Sequence, residues 1–180
     1  MPTDVDKIVD GFPHPTVIPI IGVPTYETLA ALNLQLNANA ASVQSNLGNG
    51  QLGLLYLTVS PALYATLSAT AFIPPANPGA VPAPLPAGAT AAQITAGIRQ
   101  HATELMLFRE YLATDKALKQ QVISTVNAMY LRAMSHRITG FANVTTRQLL
   151  DHLYTNYGRL NPADLQTNDT TTAPYTHPTL

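Results

Sequence analysis

At 180 residues the chain can form one domain with a real core, without help from disulfides or metals. It holds no cysteine, which excludes a disulfide framework, thiolate zinc sites and a cysteine nucleophile. Charged residues are 11% of the total, against about 25% in an average domain. The net charge of −1 divides into −3 over residues 1–90 and +2 over residues 91–180. That asymmetry is too small for a nucleic-acid-binding stripe. No run reaches the roughly 18–20 apolar residues of a membrane span, and the acidic, proline-containing start is not a signal peptide. The expectation is a soluble, cytoplasmic protein, with extracellular particles or filaments as the other compatible setting.

Residues 1–24 read as an extended arm. Pro2, Pro13, Pro15, Pro19 and Pro24 oppose helix, and Val17, Ile18, Ile20 and Ile21 form an apolar strip suited to assembly contacts. Thr25 is a helix N-cap, followed by Leu29, Leu32, Leu36, Ala40, Val43 and Leu47 at helical spacing. The opposite face, Asn33, Gln35, Asn37, Asn39, Gln44 and Asn46, is polar but neutral, and Gly48 is the expected stop. Residues 51–58 predict a short apolar helix; their Leu, Tyr and Val also allow a strand, though the sequence offers no partner strand. Ser60-Pro61 opens another helix, through about Ala71.

Six prolines in 74–88 predict an irregular, polyproline-like loop, assigned to 74–89. Thr90-Ala-Ala-Gln93 is a capping box, and the helix behind it places Ile94, Ile98, Ala102, Leu105, Phe108 and Leu112 on one seam. Thr114-Asp115 predicts a restart, with Leu118, Val122, Val126, Met129, Tyr130 and Ala133 inward and a break at Gly140. Thr145-Thr-Arg-Gln148 is a second capping box, opening a helix that closes at Gly158. A short turn at Asn161-Pro162 and a Thr-rich tail, 166–180, complete the chain. The fold expected is all-α, a bundle of about six helices over residues 25–165.

Signals for chemistry are weak. Gly48-Asn-Gly-Gln-Leu-Gly53 matches a dinucleotide fingerprint in letters, but a neutral helix precedes it and the next carboxylate is Glu104. His101 and Glu104 lie one turn apart, short of a four-ligand site. No hydrolase or metalloprotease signature occurs, so no catalytic residue, cofactor or metal is expected. Arg132, His136, Arg137 and Arg147 gather around Gly140 and are the weak candidates for nucleic-acid contact. Asn143-Val-Thr145 and Asn168-Asp-Thr170 have the form of glycosylation acceptors without a secretory context.

The strongest general feature is the 71-residue stretch from Thr28 to Ile98, which contains no Asp, Glu, Lys or Arg. Without charge repulsion, such a surface is suited to contact with other copies of the chain. Several strings within and beyond it are specific. The run Leu36-Asn-Ala-Asn-Ala-Ala-Ser-Val-Gln-Ser-Asn-Leu-Gly-Asn-Gly-Gln-Leu-Gly-Leu-Leu-Tyr-Leu-Thr-Val-Ser-Pro61 resembles the Gag polyprotein of copia-type LTR retrotransposons, in the form found in diatoms and related algae. So do Ile8-Val-Asp-Gly-Phe-Pro13, Asp115-Lys-Ala-Leu-Lys-Gln-Gln121 and the segment from Thr146 to Leu165. The resemblance covers about residues 5–165 and implies a retroviral-capsid-like helical domain whose copies form shells or virus-like particles around RNA. A zinc knuckle, common in such chains, is missing here, so RNA binding through one is not expected. The other reading is a co-opted filament or sheath subunit, homopolymeric and without packaged nucleic acid.

Overall fold

The computed structural model describes residues 4–48, 50–82 and 86–159. Among them are six α-helices and no strand: α1 (Asp4–Asp10), α2 (Tyr26–Ser42), α3 (Pro61–Leu67), α4 (Ala91–Thr125), α5 (Ala128–Leu131) and α6 (Thr146–Tyr157). Single 3-10 turns lie at Leu55–Leu57 and Arg132–Met134. The all-α expectation holds. None of the described helices is long and apolar enough to cross a membrane. The predicted turn at Asn161-Pro162 and the Thr-rich tail lie outside the described residues.

Three helices start where their sequence signals place them. Thr25, Thr90 and Thr145 each accept a hydrogen bond from the backbone N–H three residues on, and the residue there reaches back, closing a capping box. Ser60 caps α3 with Pro61 in the first turn. The core forms where α2, α4 and α6 meet. Leu29, Leu32, Leu36 and Ala40 of α2 pack with Leu118 and Val122 of α4 and Leu149, Leu150 and Leu153 of α6, all buried. Each buried leucine contributes about 1.5–3 kcal/mol relative to exposure.

Several expected boundaries are corrected. Residues 1–24 are not an extended arm throughout, because α1 occupies the proline-free stretch after Pro2. Its Val5, Ile8 and Val9 pack against the core, and the packing outweighs the cost of a short helix. Helix α2 ends at Ser42, six residues before Gly48. Leu54 N–H donates to Ala40 O, and Gly53 sits directly beneath the carbonyls of Ala41 and Val43, so the returning loop takes the place of a further turn. The helix expected over 51–58 shrinks to the Leu55–Leu57 turn. Helix α3 stops at Leu67 rather than near Ala71, and Phe72 folds back to stack on Tyr56 with ring centroids 4.5 Å apart.

The largest correction concerns Thr114-Asp115, which restart nothing: α4 is one continuous helix of 35 residues. Thr114 donates its hydroxyl to Glu110 O, a bond made inside a running helix. Asp115 accepts from the backbone N–H of Thr146, and Thr146 returns its hydroxyl to Asp115 O. The acid therefore serves the positive end of α6 instead of its own helix. Lys119, one turn on, fixes the loop before α6 by donating to the carbonyls of Phe141 and Val144.

Helix α4 ends at Thr125, so the break precedes Gly140 by fifteen residues, and Asn127 caps α5. Gly140 instead closes a tight turn with His136, each donating its N–H to the other's carbonyl. Leu118, Val122 and Val126 point inward as expected, but Met129 and Ala133 do not. At the other end of α4, Ile94 and Ile98 of the predicted seam are exposed, because no described residue covers that part of the helix, and Leu112, further along, is exposed at the groove beside the loop 141–145.

The aromatic residues form one larger group. Tyr56, Tyr64, Phe72 and Tyr111 make successive ring contacts, anchoring the start of the proline-rich segment to α4. Tyr154 stands edge-on to Tyr26. Burial pushes the Tyr111 phenol above its ordinary value near 10, helped by Asp115 and Tyr56. Burial and Tyr26 push Tyr154 the same way, against a hydrogen bond from Asn33. The folded state thus holds more protons than the unfolded one above pH 10, and stability falls as pH rises through that range. Replacing Tyr111 and Tyr154 together by Phe is expected to flatten this alkaline loss relative to the parent, as measured by urea melts at successive pH values.

Candidate functional site

The most organised polar site lies under the N-terminal segment. Asn39, fully buried on α2, accepts from His14 N–H at 2.8 Å and donates to His14 O at 2.8 Å. Its amide also donates to Gln121 Oε1 at 2.9 Å. Gln121, buried on α4, donates in turn to the carbonyls of His14 and Pro15. Further along, Ile18 N–H donates to Gln35 and Ile20 N–H to Thr125 O. Phe12 and Val17 are buried as apolar anchors on either side of the amide pair. Residues 12–20 are therefore a strap held across α2 and α4. The neutral face of α2, expected to look outward, supplies Gln35 and Asn39 to this strap.

That arrangement divides the four predicted assembly residues. Val17 is buried within its own chain and Ile20 is half-buried, so neither stands free. Ile18 and Ile21 are exposed, Ile21 by 94%. The predicted basic cluster is divided too. Arg132 and Arg137 are exposed around the Gly140 turn, as is His136, whose ring accepts from Ile138 and Thr139 N–H. Arg147 turns inward, donating to Val59 O and pairing with Asp151 at 3.5 Å. It contributes to folding, not to a basic patch.

The glycine fingerprint is structural. Gly48, Gly50 and Gly53 all take positive φ in the loop after the C-terminal end of α2, where carbonyls rather than N–H groups project. A phosphate would find the wrong end of a helix there. His101 contacts Gly79 O at 3.2 Å, while Glu104 accepts from Gln100. Among the described residues, no group of three or more His, Asp or Glu is placed to hold a metal.

Two open grooves among the described residues have charged edges. One, of about 570 Å³, runs beside Lys116, Lys119 and the loop 141–145. Lys119 is already bonded to carbonyls there and Asp115 already occupies the first N–H of α6, so the groove offers an anion little. The other, of about 550 Å³, lies between α1 and α4, floored by Ile8, Ala102, Leu105, Met106 and Ala113 and edged by Asp4, Lys7, Arg109 and Glu110. Asp4 and Lys7 pair with each other at 3.7 Å. Burial alone pushes the Glu110 carboxyl upward.

Sequence reasoning missed the Asn39–Gln121 pair. A signal was present: Asn39 follows Leu32 by seven residues and so falls on the buried stripe of α2, where an amide needs partners. Comparison with protein-family models, curated proteins and solved structures finds no match to this chain.

Proposed function

We propose that the chain is a non-enzymatic structural protein, Gag-like in kind, that assembles with copies of itself into shells. One observation carries this reading. Within the charge-free stretch Thr28–Ile98, large apolar side chains stand in solvent: Leu34, Leu63, Leu67, Ile73, Val81, Ile94 and Ile98. A surface with so much apolar area and no charge to repel a neighbour favours association. The strap does not supply assembly contacts through Val17 in this arrangement, because Val17 is buried within its own chain. RNA contact falls to Arg132 and Arg137, since Arg147 is used in the fold.

Purified protein is expected to form large particles, seen by electron microscopy, whose size in light scattering depends only weakly on salt. A monodisperse monomer at tens of micromolar overturns the reading. Open fibres without nucleic acid, in place of closed particles, would assign the filament role, because closure is set by the rotation at each interface.

A further inference from the structure

Helix α4 spans about 52 Å at 1.5 Å per residue. Its first ten residues, Ala91 to Gln100, are exposed apart from Gly97. A helical end without tertiary contacts is marginal in water, since packing of an apolar face supplies most helix stability. This end carries such a face: Ile94 and Ile98 are 46% and 55% exposed, one turn apart. The same stripe continues through Ala102 and Leu105 into the groove beside α1.

We propose that the free end of α4 is covered by a second copy of this chain, the two α4 helices lying antiparallel so that the stripe from Ile98 to Leu105 of each lies along the other's α1–α4 groove. The inference rests on the self-assembly reading above and names its first contact. One two-fold axis fills both grooves at once, the closed arrangement of an isologous pair. Antiparallel helices also set their macrodipoles favourably.

Charge selects both partner and register. From Ala91 to Ile98 the free end has none, so it brings no like charge beside the partner's Lys116 and Lys119, with which it is level. Its first cation, Arg99, forms no ion pair within 4.0 Å among the described residues, and neither does Glu110 on the groove wall. Arg99 and Glu110 are eleven residues apart, three turns, and so share a flank of the helix. With Leu105 near the axis, Arg99 of one helix is level with Glu110 of the other to within about one 1.5 Å rise. Symmetry makes that pair twice. The same register brings Ile98 beside the partner's Leu112 and Ala113.

Because the chain lacks cysteine, single introduced thiols report the geometry cleanly. In the otherwise unaltered chain, Met106→Cys is expected to give a disulfide-linked dimer under mild oxidation, and Ile94→Cys is expected not to. Arg99→Glu and Glu110→Arg should each reduce Met106→Cys cross-linking, roughly tenfold, and the two together should restore it. A restored double variant cannot be explained by misfolding of the singles. No Met106→Cys cross-link, or a double variant no better than the singles, overturns the helix pair. If wild-type particles persist in that case, the self-assembly reading stands; a monomeric wild type overturns both.

Discussion

Gly53→Ala is expected to lower the unfolding free energy by about 4 kcal/mol, and the melting temperature by roughly 8–16 °C. A Cβ at this position would lie 2.4 Å from Ala41 O and 2.5 Å from Val43 O. Both are backbone atoms at the end of α2, so no rotamer change relieves the overlap. The residue also has φ of +52°, which an L side chain takes up at a cost. The loop would have to lift, and with it Leu54, which is fully buried and whose N–H terminates α2. Gly22 supplies the control. Its φ is +82°, yet nothing lies within 4 Å of the added carbon, so Gly22→Ala should cost only about 1 kcal/mol. Thermal melts of the two variants measure the difference. Equal, small losses in both would show that the Gly53 loop yields without strain.

Asn39→Ala should be nearly as costly, about 3 kcal/mol in urea unfolding. The substitution leaves His14 N–H and the Gln121 carbonyl without their partner in a buried place, and opens a void between α2 and α4. Its signature should be local as well as global. With the amide gone, residues 12–20 keep only Phe12 and Val17 as anchors, plus the bonds from Gln121, Gln35 and Thr125. Limited proteolysis should therefore cut that segment well before the helical body is attacked. Loss of stability with an unchanged cleavage pattern would mean that the amide supports the core and not the strap.

What could be read in advance was whatever depends on neighbours in sequence. Thr25, Thr90 and Thr145 begin helices because the hydroxyl, the next N–H groups and the returning side chain are all within four residues. What could not be read depends on a partner far away. Asp115 looks like a local start signal, and only the position of Thr146 shows that it serves a different helix. The same holds for Asn39: neutral and polar, it passes for a surface residue until His14 and Gln121 arrive beside it. Uncharged amides on an apolar stripe therefore fit an interior role here better than an outer one. The exposed end of α4 shows the reverse error, since regular apolar spacing specifies a face to be covered without saying by what.

The strap has a consequence for synthesis. Gln121 follows His14 by 107 residues, so the segment's bonding partner does not exist when the segment leaves the ribosome. At ordinary elongation rates the delay is roughly 5–20 s. During that interval Phe12 and Val17 have no finished cradle, and nascent chains translated side by side from one message would meet with these side chains bare.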